Sequence, residues 1–101
     1  MSKVVTRREA VEKIRRREEF RIGTKAFYGT IASSVWDYGR LPDKYRDLWN
    51  TAVGVGAYAV YSYATPILWI LPDGTVVEPP VRYSATTSRH QSYARQGAHI
   101  R

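Results

Sequence analysis

Residues 57–77, Ala-Tyr-Ala-Val-Tyr-Ser-Tyr-Ala-Thr-Pro-Ile-Leu-Trp-Ile-Leu-Pro-Asp-Gly-Thr-Val-Val, decide the fold. The first eight are rich in tyrosine, a strand former. Thr65-Pro66 breaks that run. Ile67 to Leu71 is then apolar on both faces, as a central buried strand should be. Leu71-Pro72-Asp73-Gly74-Thr75 has turn chemistry, with proline second and glycine fourth. Thr75 to Val77 returns antiparallel. Strict alternation puts Tyr61 and Tyr63 on one face and Tyr58 on the other. Pro79-Pro80 ends the run, and residues 81–83 are expected as a last short edge strand.

A helix precedes this block. Pro42 suits a first helical position, because its missing N–H costs nothing there. Tyr45, Leu48, Trp49 and Ala52 fall on one apolar face, and Gly54 is the expected stop. Residues 33–40 read as a loop carrying Trp36 and Tyr38. Residues 24–32 read as a short strand interrupted at Gly29.

The first helix is expected over about 7–21. Thr6 and Glu9 have capping-box spacing, and Glu9/Lys13 and Glu12/Arg16 are i,i+4 pairs. Gly23 is its plausible stop. Its apolar stripe is thin (Val11, Ile14, Phe20), so the helix is expected to project from the body or to order on a partner. Downstream, Thr86-Thr87-Ser88 caps a third helix over about 88–96, with Gly97 just beyond it.

The expected class is α+β: a small, mainly antiparallel sheet of three to four strands with two to three helices, the second and third on one face. The expected division is a basic N-terminal helix over 1–25 and a small α+β domain over 26–101. A chain of 101 residues fits that size.

Without cysteine there are no disulfides, thiolate nucleophiles or thiolate metal sites. Two histidines, His90 and His99, are too few for a histidine-based metal site without carboxylate help. No cofactor or metal is expected. No apolar run is long enough to span a bilayer. No apolar run follows the basic N-terminus either, so a secretory signal is not expected. A cytoplasmic location fits the absence of cysteine. The net charge is +7, unevenly spread: residues 1–25 carry +5, residues 26–81 carry −2, and residues 82–101 carry +4. Two basic ends flanking a near-neutral middle attract polyanions, and nucleic acid is the commonest inside a cell.

Leu41-Pro42, Tyr61 to Ile67 with Trp69, Val81 to Ser84 and Thr86 to Gln91 resemble a group of small uncharacterised proteins encoded by phages, prophages and chromosomes of actinobacteria. The resemblance covers about residues 39–91. It implies a phage or prophage origin and transfers no catalytic residue.

Three constellations carry the functional expectations. Thr86, Thr87 and Ser88 at a helix N-terminus, with Arg82, Arg89 and His90 nearby, could hold a phosphate; an ordinary N-cap needs only one of those hydroxyls. Tyr61 and Tyr63 on a basic sheet could stack on unpaired bases, and equally could be core packing. Arg15, Arg16 and Arg21 could track phosphates. Lys3, Arg8 and Arg15 could align as one helical stripe, and Lys13, Arg17 and Arg21 as another. The alternative is a solvated helix held by Glu/Arg pairs.

Catalysis is not expected. Ser88 and His90 do not face each other on a helix, and the carboxylates are scattered. The leading expectation is a non-catalytic accessory protein that binds nucleic acid through its charged ends. The alternative is a protein-interaction module or inhibitor that meets an acidic surface, anchored by Trp36 and Tyr38. A third is a structural component of an assembly, with the first helix as a docking arm. A membrane role is not expected, and the oligomeric state is left open.

Overall fold

Five strands form one antiparallel meander: β1 (Phe20–Ile22), β2 (Phe27–Ile31), β3 (Tyr58–Ser62), β4 (Thr65–Ile70) and β5 (Val76–Val77), in that spatial order. The computed structural model describes residues 6–23 and 26–99. Helices α1 (Arg7–Arg15) and α3 (Ala85–His99) cover one face. Helix α2 (Arg46–Val55), entered through a 3-10 turn at Asp43–Tyr45, covers the other. The class is therefore α+β, with one more strand than the upper expectation.

Strands β3 and β4 are buried on both faces. Toward α1 and α3 the sheet presents Phe20, Phe27, Tyr58, Val60, Leu68 and Ile70. Toward α2 it presents Ala59, Tyr61 and Trp69, against Trp49 and Ala52. The Trp49 ring meets Trp69 edge-on at 5.3 Å and Tyr61 at 5.9 Å. The second and third helices thus lie on opposite faces, not together. Both faces of the central strands are apolar, and each face must be covered.

Helix α1 does not project. Ala10 and Ile14 are completely buried, and Ile14 packs against Gly97 of α3. A Cβ on Gly97 would stand 2.6 Å from Ile14 Cβ and 2.7 Å from the Val11 carbonyl oxygen. Gly97 is therefore an interior residue of α3, where it allows the two helices to touch, and not a stop beyond its end.

The capping box at Thr6 and Glu9 is present, with both reciprocal bonds made. The helix ends six residues earlier than expected. Arg17 adopts φ +58°, and the Arg17 and Glu18 amides donate to the Ile14 and Lys13 carbonyls. This is a Schellman stop with arginine where glycine is usual. It frees Phe20 to enter the core as part of β1.

Other boundaries move for similar local reasons. Gly54 lies inside α2, and the left-handed Gly56 ends it. Leu48 is half-exposed and leaves the apolar face to Trp49 and Ala52. Gly29 does not interrupt β2; the Tyr58 hydroxyl and the Phe20 ring occupy the space its side chain would need. Residues 24–25 of the expected strand lie outside the described residues. Thr65-Pro66 opens β4 instead of breaking it. The hairpin turn is Tyr63-Ala64, both with positive φ. Pro66 is tolerated because β5 pairs only with Trp69 and Ile70, and the β3–β4 ladder slips at that point. Residues 81–83 form no strand, and α3 starts at Ala85, with Ser84 accepting from the Thr87 amide.

Candidate nucleic-acid interface

The two basic ends of the sequence meet in one layer, because α1 and α3 pack side by side. Arg7 and Arg8 open α1. Arg89, Tyr93 and Gln96 fall at i, i+4 and i+7 of α3, one stripe of that helix. A groove runs between the helices, lined by Arg7, Arg8, Tyr93 and Gln96, with Glu9 and Glu12 also on its α1 wall. The Arg7 guanidinium lies 5.9 Å from the Tyr93 ring centre. Arg7, Arg8 and Arg89 are exposed, and none makes an ion pair among the described residues.

The cations expected from the first helix are used differently. Arg15 pairs with Glu12, and Arg16 pairs with the same carboxylate at 3.0 Å. Those contacts hold Glu12 below the usual carboxylate range, with the Arg15 hydrogen bond the main cause. Lys13 pairs with Glu18, not Glu9. Arg21 sits on edge strand β1 between the inward Phe20 and Ile22, so it faces the α2 side, opposite α1 and α3. The stripe of Lys13, Arg17 and Arg21 therefore does not exist, because the helix stops at Arg15. Of the other stripe, Lys3 lies outside the described residues.

The threonine–serine triplet is not the helix cap. It lies within the first turn of α3, where Thr86 and Ser88 are exposed and Thr87 is buried. Thr87 Oγ1 lies 3.1 Å from Ser62 Oγ and 3.2 Å from Ser84 Oγ. Ser62 Oγ is also 2.7 Å from His90 Nδ1. His90 stacks on Phe27 at 4.5 Å. Burial first, and the Arg7 charge second, push its pKa below the ordinary value. Its Nδ1 is thus engaged inside the fold and its ring face is packed on Phe27.

Beside this hydroxyl chain lies a cavity of about 560 Å³. Its wall includes Arg40, Arg82, Tyr63 and the buried hydroxyls of Ser62, Thr65 and Thr87. Arg40 is delivered by a loop that docks on the β3–β4 hairpin. Its amide donates to Thr65 Oγ1 at 2.9 Å. Gly39, at φ +51°, lies so close to Thr65 and the Ala64 carbonyl that no side chain would fit.

The aromatics divide. Tyr61 is buried and stacks on Tyr28 at 4.6 Å, and burial pushes its hydroxyl pKa well above the ordinary value. It cannot stack on a base. Tyr63 is 56% exposed and leans toward His90 at 5.8 Å, so the two tyrosines do not share a face. The left-handed turn rotates Tyr63 out of the strand alternation. Tyr38 lies under the Arg46 guanidinium at 3.8 Å, and Trp36 is 79% exposed. No helix of the described residues is long and apolar enough to cross a membrane.

Arg7 and Arg40 are site residues that sequence reasoning does not single out, and Ser62 and Ser84 enter it only inside the stretches that carry the family resemblance. Gly39 before Arg40 is the available signal for the cavity, since an unusual backbone at a loop end positions the next side chain.

Fold and surface together define a small three-layer α+β protein with a basic helical layer. A family described as Family of unknown function (DUF8033) matches residues 23–99, and the chain belongs to it. Helix α1 precedes the matched region. Neither a curated protein nor a solved structure matches the chain.

Proposed function

We infer that this protein is a non-catalytic, phage-type accessory protein that binds nucleic acid in the cytoplasm of a bacterial cell. One observation carries the reading: the basic ends of the chain, separated by most of its length, are adjacent in the α1–α3 layer. Arg7, Arg8 and Arg89 supply positive charge there without carboxylate partners among the described residues. Contacts of this type are to phosphate, so binding is salt-dependent and weakly sequence-specific. The test is fluorescence-polarisation binding of mixed-sequence single- and double-stranded DNA and RNA. Arg8→Ala combined with Arg89→Ala should weaken binding by about tenfold, as expected when two phosphate contacts of roughly 0.7 kcal/mol each are lost. Unchanged affinity in that variant would remove the reading.

A second reading rests on Trp36. Its 79% exposure would suit an anchor for an acidic protein partner. Capture of one defined protein from nuclease-treated host lysate, lost on Trp36→Ala, would favour it.

A further inference from the structure

The cavity between Arg40 and Arg82 is not needed by the α1–α3 surface, and its chemistry differs from that of its neighbours. The groove at Arg7 and Arg8 also carries Glu9 and Glu12. The depression at Pro79 and Pro80 shares Arg82 and Tyr83 with the cavity, but also holds Glu78 and Arg95, which pair at 2.8 Å. The Arg40–Arg82 cavity has two arginines, no acidic residue in its wall, and no ion pair to either arginine among the described residues. Two arginines without carboxylate partners on the wall of one half-open cavity suit an anion, since a guanidinium offers a fork of donors to phosphate.

The rest of the wall adds donors. Thr65 is buried, and its oxygen accepts the Arg40 amide. Its own hydroxyl hydrogen has no acceptor among the described residues, so it is free for a ligand oxygen. Tyr83 contributes to the same wall, with its own hydroxyl buried away from the surface. At the rim stands Tyr63, held outward by its left-handed turn, a large flat surface for an aromatic ring.

We propose that this cavity binds one nucleoside monophosphate unit, with the phosphate between Arg40 and Arg82 and the base against Tyr63. The volume lies within the roughly 300–1,000 Å³ of small-molecule sites. It would take a single nucleotide and not a helix. The proposal rests on the nucleic-acid reading only for the choice of a nucleotide over other phosphates. The unit is either free or the 5′-phosphorylated end of a strand, and both present the same chemistry.

Isothermal titration calorimetry on the full chain separates these possibilities. Adenosine 5′-monophosphate should bind at least about tenfold more tightly than inorganic phosphate or adenosine, because both halves of the ligand are recognised. Arg40→Ala and Arg82→Ala should each weaken it by about tenfold or more. Tyr63→Gly, which suits the turn's backbone, should weaken the nucleotide but leave phosphate binding unchanged. Equal binding of adenosine and its monophosphate, equal binding of phosphate and the monophosphate, no binding at all, or indifference to both arginine substitutions would each overturn the proposal. Hexanucleotides with and without a 5′-phosphate identify the source: a preference for the phosphorylated strand assigns the site to strand ends, and none assigns it to free nucleotide. A chain with Arg8→Ala and Arg89→Ala that loses strand binding yet keeps the monophosphate would separate this site from the helical surface. A wild-type chain that binds strands but not the monophosphate would sink the cavity alone.

Discussion

Gly97 shows how one residue fixes the relation of two helices. By propensity alone, alanine in the middle of a helix is favoured over glycine by about 1 kcal/mol. Here the added methyl would strike Ile14 and the Val11 carbonyl of α1. Overpacking costs about 1–3 kcal/mol, so the sign reverses. Gly97→Ala should destabilise the protein in chemical denaturation; a stabilised variant would show that α1 does not sit against α3. His90 is the second decisive residue. Its folded pKa lies below the ordinary value of 6.5, so below pH 6.5 the unfolded state binds more protons than the folded one. Stability due to this group is intact above that pH and declines as pH falls from 6.5 toward the depressed folded value. His90→Asn, followed by thermal melts from neutral to mildly acidic pH, should flatten that decline. An identical pH profile in the variant would mean that His90 is not the titrating group. Neither residue can be read in isolation: a glycine near a helix end looks like a stop, and a histidine beside Arg89 looks like part of an anion site.

At the scale of elements, the strongest local signals survive. The Thr6–Glu9 box and the turn at Pro72 to Gly74 stand where their sequence patterns predict them, and the apolar β4 exists as expected but begins two residues earlier, at Thr65. The misplaced boundaries share a physical cause. Arg17, Tyr63 and Ala64 occupy left-handed backbone that propensity assigns to glycine or asparagine. As a result, the sequence pattern overextends α1, hides β1 and puts the break between strands at Thr65-Pro66. The stored strain is testable. Ala64→Gly should stabilise the hairpin by about 1 kcal/mol and raise the melting temperature by roughly 4–8 °C. A lowered melting temperature would contradict the two-residue left-handed turn. At the other end of the fold, Thr6→Ala should cost about 1 kcal/mol, because it removes the acceptor for the Glu9 amide. No change in denaturation midpoint would mean that α1 frays in solution.

The whole molecule carries what neither residues nor elements reveal. The sequence shows positive charge at both ends, but not that the ends are neighbours. Their adjacency comes from the meander: its central strands are apolar on both faces, α2 covers one face, and α1 and α3 must share the other. The same topology brings the loop ending at Arg40, the β3–β4 hairpin and the segment before α3 to one end of the central strands, where they line the cavity. Long-range assembly of this type leaves no periodicity in the sequence. Arg15 and Arg16 are the most conspicuous basic residues to the eye, yet Glu12 engages both, while Arg7 and Arg8 carry the unpaired charge.

The most direct measurement is therefore the salt dependence of nucleic-acid binding, compared between the wild-type chain and the Arg7→Ala, Arg8→Ala, Arg89→Ala triple variant. Plotted as the logarithm of the binding constant against that of salt concentration, the wild-type slope should be steep. The variant's slope should be shallower by about three, about one for each phosphate contact removed. Equal slopes, or a wild-type chain that does not bind at about 50 mM salt, would contradict nucleic-acid binding by the α1–α3 layer and leave its charge to meet an acidic protein surface instead.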